Sequence, residues 1–197
     1  MQPEPSTAPE PGRAPGAPGA PEPLSSSEPR VIVGAAIVGA AIVCERASVC
    51  ERPSASERAS GSLQVLAAQR SHPPRLAGQW EFPGGKVEAG ETEVAALRRE
   101  CIEELAADVD VGPRIGPDLP LAERVVLRIY LARLRPGASL VPTGDHARLR
   151  WLGADELHLV PWLPADRPVL GPLAAFLRSG SAEWPADPQG SVEVTST

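Results

Sequence analysis

The sequence predicts a single α/β or α+β domain in which a mixed β-sheet packs between helices. Three observations support this fold class. Strand-like segments stand before, between and after two helical segments. The chain has 197 residues, enough for one hydrophobic core, and 42% of them are hydrophobic, close to the average for globular domains. We therefore expect one folded body, with proline-rich material outside it.

The strand and helix predictions follow the side-chain pattern along the chain. Residues 31–43 are dense in β-branched side chains and interrupted by glycine, which favours a buried strand over a helix. This apolar run of 13 residues is also shorter than the roughly 20 that a membrane helix needs. Residues 92–107 contain no glycine or proline, so they predict the main helix. The remaining predicted elements are strands at 63–70, 123–134 and 149–152 and a last helix at 167–178.

Three segments flank or interrupt this domain, which we expect to span residues 31–179. Residues 1–30 hold 9 of the 24 prolines and little that could be buried, so they predict a disordered tail with polyproline character. Residues 44–62 contain the related runs CERAS, CERPS and SERAS, which indicate a low-complexity loop insertion on the surface. Residues 180–197 are again polar, with proline and glycine, and predict a flexible C-terminal tail.

Composition narrows the classes of partner. The net charge of −6 argues against a non-specific grip on nucleic-acid phosphates. The three cysteines (Cys44, Cys50 and Cys101) cannot form a closed set of disulfides and include no CxxC zinc pair, which favours a reducing compartment. No basic start followed by an apolar run is visible. We therefore expect a cytoplasmic protein, a monomer or homodimer, that binds a small molecule rather than a nucleic-acid polymer or a membrane.

The chemistry concentrates in the predicted main helix. Glu100, Glu103 and Glu104 stand at positions i, i+3 and i+4, so they share one helical face with Cβ atoms about 5–6 Å apart. Like charges at this spacing destabilise a helix unless cations lie among them, and hard carboxylate oxygens suit Mg²⁺ or Mn²⁺. The alternative from these residues alone is a solvated acidic face with Arg98 and Arg99 as ion-pair partners.

A glycine-rich turn before this helix adds a second signal. In the run FPGGK, residues 82–86, the paired glycines let the backbone approach a ligand without a Cβ in the way. Six positions from Gly85 onward fit the pattern G-x5-E-x7-R-E-U-x-E-E-x-G-U, with U apolar, and this run resembles the Nudix box. The resemblance to the Nudix hydrolase family covers about residues 31–176. One departure is Ala106, where the family has a glycine that permits a left-handed helix end.

The resemblance implies a fold, a reaction and a set of metal ligands. The run GQWEFPGGKVEAGE is similar to the MutT-type branch, which has an α/β/α sandwich around a mixed sheet and hydrolyses nucleoside triphosphates to a monophosphate and pyrophosphate. Mg²⁺ is the implied cofactor, with Mn²⁺ as a substitute. The implied metal ligands are Glu100, Glu103, Glu104, the Gly84 carbonyl and Asp145, which stands six residues before Trp151.

The same resemblance implies the roles of other residues. Arg99 and Glu91 would orient the metal-binding carboxylates, and Lys86 would face the phosphates. A carboxylate would accept the proton of the attacking water, with Glu100 as the first candidate and Asp145 as the second. Asp145, in the run PTGDH, is equally suited to form a turn.

The sequence leaves the base preference open. Asp166 stands where guanine-sanitising members carry an asparagine, and a carboxylate that accepts from the N4 amine of cytosine would suit a CTP or 5-methyl-CTP hydrolase. 8-Oxoguanine also offers N–H donors, so an 8-oxo-dGTP diphosphatase fits as well, and Asp166 is equally suited to be the N-cap of the last helix. Phe82 is a candidate to stack on the base, and Arg70 and Arg128 are candidates to reach the phosphate or the base.

Two further functions remain as alternatives. The same scaffold serves hydrolases of ADP-ribose and other nucleoside diphosphate derivatives, which use extra elements to hold the second half of the substrate. Residues 44–62 are the only spare material for this purpose. A nucleotide-sensing protein of Nudix fold that signals through the proline-rich tail belongs to another class, but a sensor need not keep all the metal ligands. The complete acidic set therefore favours a pyrophosphohydrolase that sanitises the nucleotide pool.

Overall fold

A computed structural model of the protein describes residues 28–39, 50–51, 63–181 and 183–185. Nearly all of the predicted tail at 1–30 and of the predicted loop at 44–62, and most of the predicted tail at 180–197, lie outside the described residues. Within the described ranges, no helix has the length and apolar character needed to cross a membrane.

The described residues form nine β-strands and two α-helices. The strands are β1 (Arg30–Gly39), β2 (Cys50–Glu51), β3 (Gln64–Arg70), β4 (Trp80–Glu81), β5 (Gly84–Lys86), β6 (Val109–Arg114), β7 (Leu119–Ala122), β8 (Val125–Leu134) and β9 (His146–Gly153). The helices are α1 (Glu93–Leu105) and α2 (Leu170–Ser179), and 3₁₀ turns occupy Leu157–Leu159 and Arg167–Val169.

The strands pair into a mixed sheet. Its main path runs β2–β9–β3–β1–β8–β6, with β4 beside β3, β5 beside β1 and β7 beside β8. Strands β1 and β8 are parallel over eight residue pairs, from Arg30 opposite Val125 to Ile37 opposite Ala132, and β2 is parallel to β9. The other pairs are antiparallel. The predicted mixed sheet is therefore confirmed.

The two helices cover opposite faces of the sheet. Successive side chains of a strand point to opposite faces, and the residues of β1 divide accordingly between two buried clusters. Val33 and Ile37 pack in one cluster with α1 residues such as Leu97, whereas Val38 packs in the other with α2 residues such as Leu173. The predicted arrangement of a sheet between helices is confirmed.

Some predicted elements differ from the structure in their limits. The predicted strand at 123–134 is the second strand of a hairpin, because β7 ends at Ala122 and Arg124 turns the chain with φ 58°. Strands β4 to β7 were not expected, since each has six residues or fewer and three of them contain glycine or proline. The other predicted elements correspond to β1, β3, α1, β9 and the 3₁₀ turn that leads into α2.

The ends of α1 are both capped. The Thr92 hydroxyl accepts from the Ala95 N–H at 3.2 Å, as expected for an N-cap. At the other end Ala106 adopts φ 54° and ψ 28°, in the left-handed region, and its N–H donates to the Ile102 carbonyl at 3.0 Å. The left-handed stop therefore forms even though alanine stands where the motif has glycine. This conformation costs an L-residue about 1–2 kcal/mol.

Candidate active site

One face of α1 gathers acidic side chains around an arginine. Arg99 donates from Nη1 to Glu100 Oε1 at 2.9 Å and to Glu103 Oε2 at 3.4 Å. Its Nε and Nη2 donate to the two carboxylate oxygens of Glu91 at 3.1 and 3.0 Å, and Nη2 also donates to the Lys86 carbonyl at 3.0 Å. These hydrogen bonds hold the pKa of Glu91 below its usual range. The bidentate pair with Glu91 holds the guanidinium in one orientation, so Arg99 can position the carboxylates beside it.

Strand β5 brings two glycines directly against these carboxylates. The Gly84 N–H donates to Glu104 Oε2 at 2.9 Å. A Cβ on Gly85 would lie within 2.6 Å of Glu100 Oε2. Gly84 also has φ 151°, where side chains are rarely found, and a Cβ on it would collide with the backbone of Val33. The absence of a side chain at Gly85 therefore leaves room for the Glu100 carboxylate, and its absence at Gly84 lets β5 pack against β1.

Glu104 carries its carboxylate into an enclosed and acidic environment. Its side chain is only 18% exposed. Burial raises the pKa of Glu104 to about 7; His146 and the hydrogen bond from Gly84 act in the opposite direction, and the charges of Glu81 and Glu100 raise it further. A cation bound among these groups would stabilise the ionised form.

The donor set suits a hard divalent cation. Carboxylate oxygens are the ligands that Mg²⁺ prefers, and the missing Cβ of Gly85 lets the Glu100 carboxylate lie directly against strand β5. In the part of the chain that the structure describes, no three carboxylate, histidine or cysteine side chains are gathered closely enough to hold an ion as they stand. The reason is that Glu100 and Glu103 pair with Arg99, while Glu104 turns to a backbone N–H. The carboxylates are therefore ligands of the chemical type that the implied metal prefers. A bound cation would replace the arginine and the N–H group with which they now pair.

The loop before β9 is docked on the C-terminal end of α1. Thr143 donates its backbone N–H to the Glu104 carbonyl at 2.8 Å and its hydroxyl to the Glu103 carbonyl. These contacts satisfy carbonyls that a helix end leaves without partners. The loop thereby brings Asp145 to the site, where its Oδ2 accepts from Arg70 Nη2 at 3.2 Å. Asp145 and Arg70, both candidate site residues, are ion-pair partners.

Two further residues of this site were not expected from the sequence. Glu81 Oε1 accepts from Arg70 Nη1 at 2.6 Å and is hydrogen-bonded to His146 Nε2 at 2.9 Å. The His146 side chain is fully enclosed, and its Nδ1 lies 3.8 Å from Glu104 Oε2. Local signals existed for both: Glu81 stands just before the glycine turn, and His146 directly follows the candidate ligand Asp145.

A pocket of about 290 Å³ opens beside this cluster. Its walls include the candidate residues Arg70, Phe82, Lys86 and Asp166, together with Glu81 and Leu127. Phe82 packs against Trp162 with ring centroids 4.8 Å apart. Four of the five predicted substrate-binding residues therefore line one space that also reaches Gly84 and Gly85.

Asp166 is buried in the wall of this pocket. It precedes the 3₁₀ turn Arg167–Val169, but its side chain makes no capping hydrogen bond. The residue is only 3% exposed. Burial, with a smaller contribution from the charge of Glu81, holds the pKa of Asp166 well above its usual range. This favours the protonated carboxyl, which offers one donor and one acceptor.

Arg128, the fifth predicted substrate-binding residue, is not brought to this pocket. In the parallel register of β1 and β8 it lies opposite Val33, on the face of the sheet that α1 covers. There its guanidinium pairs with the carboxylates of Glu93 and Asp118. The predicted contact of Arg128 with the phosphate or the base is therefore wrong. Its ion pair with Glu93 instead holds the first turn of α1 against the sheet. The physical reason is strand alternation, which gives Leu127 the position in the pocket wall.

A match to a family model covers most of the residues of this site. The model described as the NUDIX domain matches residues 56–171, which include β3 to β9 and α1. The chain belongs to the Nudix family. Nudix hydrolases act on small nucleotide substrates and generally use divalent metals such as Mg²⁺.

Two curated relatives show to which branch of the family this Nudix protein is similar. "Putative 8-oxo-dGTP diphosphatase 2" of Mycobacterium tuberculosis is 50% identical over 122 residues, which cover 60% of this chain and 85% of that protein. "CTP pyrophosphohydrolase" of Escherichia coli is 32% identical over 124 residues, which cover 63% of this chain and 89% of that protein. With the family match, these relatives show that the chain is a MutT-type Nudix hydrolase, an enzyme of the pyrophosphohydrolase class.

Solved structures of Nudix proteins agree with the fold. The solution structure of the E. coli ORF135 protein matches with a TM-score of 0.55 and 28% sequence identity, over 82% of this chain and 99% of that chain. The crystal structure of a MutT NUDIX hydrolase from Burkholderia pseudomallei matches with a TM-score of 0.55 and 26% identity, over 75% of this chain and 99% of that chain. The Nudix fold predicted from the sequence is confirmed.

Proposed function

We propose that this Nudix hydrolase cleaves 8-oxo-dGTP to 8-oxo-dGMP and pyrophosphate with Mg²⁺, and so removes an oxidised nucleotide from the pool. The observation that carries the proposal is the buried Asp166 carboxyl in a pocket that reaches the glycines beside the carboxylate face of α1. The 50% identity to the M. tuberculosis relative, whose name specifies 8-oxo-dGTP, supports the same substrate.

The proposed metal site is the carboxylate face of α1 with the loop before β9. Its ligands are Glu100, Glu103, Glu104, the Gly84 carbonyl and, through water, Asp145. Bound Mg²⁺ would neutralise the triphosphate and lower the pKa of a bound water. Arg99 pairs with Glu100 and Glu103, and its bidentate pair with Glu91 would keep it in place if those carboxylates bound an ion.

The other residues position the substrate and receive the proton. In-line attack on phosphorus depends mainly on positioning and on stabilising charge. Glu100 accepts the proton of the attacking water at its carboxylate, because it shares one face of α1 with the other proposed carboxylate ligands. Lys86 pairs with the phosphates from the wall of the pocket, and Phe82 packs against the base.

Asp166 provides a physical basis for selecting the oxidised base. Guanine N7 and O6 are both acceptors, whereas the 8-oxo form carries a hydrogen on N7. A protonated Asp166 accepts from N7–H and donates to O6, which is the donor and acceptor pair that an asparagine amide also offers. In undamaged guanine the N7 lone pair would face the carbonyl oxygen of Asp166. A bidentate pair contributes about 1–3 kcal/mol of discrimination, so we expect at least a roughly fivefold preference for 8-oxo-dGTP over dGTP.

The test is pyrophosphate release with Mg²⁺ from 8-oxo-dGTP, dGTP, CTP, dCTP, 5-methyl-dCTP and dATP. We expect the highest kcat/KM for 8-oxo-dGTP. Asp166→Asn is the matched variant and should retain the preference, because its amide keeps a donor and an acceptor, whereas Asp166→Leu should lose it. A preference of the wild type for the cytosine nucleotides would overturn the substrate assignment. Failure to cleave any triphosphate would overturn the reaction assignment.

A second candidate is the hydrolysis of CTP or dCTP. It is favoured by the 32% identity to the E. coli CTP pyrophosphohydrolase. A protonated Asp166 also matches cytosine, since it accepts from the N4 amine and donates to N3. The same panel of triphosphates separates the two candidates, because their predicted preferences differ in the first-ranked substrate.

The proposal also covers the domain limits, the cellular compartment and the oligomeric state of the enzyme. The catalytic domain is proposed to span residues 31–179, between a disordered tail at 1–30 and a flexible tail at 180–197, with an inserted loop at 44–62. It is proposed to act in the cytoplasm as a monomer or homodimer. If the triphosphates stay intact, ADP-ribose and other nucleoside diphosphate derivatives are the next substrates to assay. Nucleotide-dependent partner binding without cleavage would indicate a sensor instead.

A further inference from the structure

A buried histidine lies between the two parts of the site that would bind the base and the metal. The side chain of His146 has no exposed surface, and its Nε2 is hydrogen-bonded to Glu81 Oε1 at 2.9 Å. Its Nδ1 lies 3.8 Å from Glu104 Oε2 and has no hydrogen-bond partner among the described residues. Glu81 lines the pocket, whereas Glu104 is a proposed metal ligand. One side chain therefore touches both halves of the site.

The surroundings of His146 leave the ring little freedom. Its backbone N–H donates to the Thr143 carbonyl at 3.2 Å, and the Thr143 N–H donates to the Glu104 carbonyl at 2.8 Å. On the other side, Arg70 Nη1 holds the same Glu81 oxygen at 2.6 Å. Protein interiors are close-packed, so an enclosed ring must follow when the Glu81 carboxylate moves. A separation of 3.8 Å is too long for a hydrogen bond, so a small movement of the ring would form one with Glu104.

We propose that His146 is a positioning residue that couples the base pocket to the metal-binding face, so that a base in the pocket tightens Mg²⁺ binding at α1. The inference rests on the proposed function. A base in the pocket would confine the Glu81 carboxylate in its wall, and with it His146, to one arrangement, so that less conformational freedom would be left to lose on binding of an ion by Glu104. By reciprocity, Mg²⁺ tightens base binding by the same factor. The coupling would favour cleavage of nucleotides whose base matches the pocket.

The test measures Mg²⁺ binding to the full chain by titration calorimetry, with and without saturating 8-oxo-2′-deoxyguanosine. A nucleoside has no phosphate that could bridge to the ion, so any coupling passes through the protein. Coupling between two sites typically amounts to about fivefold or more in affinity. We expect the nucleoside to tighten Mg²⁺ binding by at least this factor in the wild type.

Two conservative variants interrupt the connection at different ends. His146→Gln carries an amide near the position of Nε2 and keeps the contact with Glu81, whereas His146→Asn carries an amide near the position of Nδ1 and keeps a polar group towards Glu104. Each variant should bind the nucleoside and the ion separately but lose the coupling. His158→Gln, at an exposed position of a 3₁₀ turn, is the matched control and should keep it.

A kinetic readout separates this role from a general loss of structure. When the base no longer influences the metal site, the ratio of kcat/KM for 8-oxo-dGTP to that for dGTP should fall in both His146 variants. A variant that is only destabilised would lower both values and leave their ratio unchanged.

The outcomes distinguish this inference from the function on which it rests. Binding of Mg²⁺ that is unchanged or weakened by the nucleoside in the wild type, or coupling of full size in both His146 variants, would overturn the role of His146 alone. Failure of the wild type to bind Mg²⁺, or to bind either 8-oxo-2′-deoxyguanosine or 2′-deoxycytidine, would overturn the proposed function and the role of His146 with it.

Discussion

Replacing Gly85 with alanine tests whether the position of Glu100 matters for the reaction. The new Cβ would lie 2.6 Å from Glu100 Oε2, whereas ordinary contacts begin at 3.4 Å. The second carboxylate oxygen is nearer still, so the group must retreat by about 1 Å, and a misplacement of this size in an active site costs about 100-fold in rate. We therefore expect kcat of Gly85→Ala to fall about 100-fold at saturating Mg²⁺.

The fold should tolerate this substitution. Gly85 is not among the residues with positive φ, and the atoms in its way are the end of a flexible side chain. Forcing a side chain off its rotamer costs about 0.5–1.5 kcal/mol, so urea unfolding should show a small shift of the midpoint. The matched control is Gly171→Ala in α2, where a Cβ would meet nothing within 4 Å. It should keep full turnover in the pyrophosphate-release assay.

A double variant shows whether the effect passes through Glu100. If Gly85→Ala acts by displacing that carboxylate, adding it to Glu100→Ala leaves the residual rate unchanged, because the two changes remove the same interaction. Full activity of Gly85→Ala would show that the position of Glu100 does not limit the rate. A further loss of about 100-fold in the double variant would show that Gly85→Ala acts on another part of the site.

Three other changes test separate parts of the structure. Ala106→Gly should stabilise the protein by about 0.5–1 kcal/mol in urea unfolding. The left-handed conformation costs alanine about 1–2 kcal/mol, and the greater freedom of glycine in the unfolded chain offsets about 0.4–1 kcal/mol of this gain. Destabilisation by Ala106→Gly would contradict this prediction. Asp166→Asn should stabilise the protein increasingly as pH rises above about 4, because burial raises the pKa of Asp166 and the unfolded chain, with its lower pKa, ionises first; a difference independent of pH would count against it. Arg99→Lys should lower kcat with little change in the urea midpoint, because lysine cannot form the bidentate pair with Glu91, and unchanged turnover would remove the orienting role of Arg99.

Features set by local spacing were predictable from the sequence. Glu100, Glu103 and Glu104 are three and four residues apart, and any α-helix brings such residues to one face. The paired glycines of β5 and the N-cap Thr92 are equally local signals. These features were sufficient to identify the family and its acidic face.

Features that depend on strand register were not predictable in the same way. Glu81 and His146 are separated by 65 positions and meet because β3 pairs with both β4 and β9. Side-chain alternation alone does not determine on which face of the sheet Arg128 lies. The parallel register of β8 with β1 places it on the face away from the pocket. No local pattern specifies these pairings, since a shift of one residue sends every side chain of a strand to the opposite face.

In the proposed function, the carboxylates of α1 hold the ion on which pyrophosphate release depends. The most direct measurement is the rate of pyrophosphate release from 8-oxo-dGTP across a Mg²⁺ titration, for the wild type and Glu104→Gln. Glutamine still accepts from the Gly84 N–H but is no longer a carboxylate ligand, and Glu123→Gln, at an exposed position, is the control. We expect the wild type and the control to require Mg²⁺ and to be equally active, with Glu104→Gln slower by at least about 100-fold. Full activity of Glu104→Gln would show that Glu104 is not a ligand of the ion.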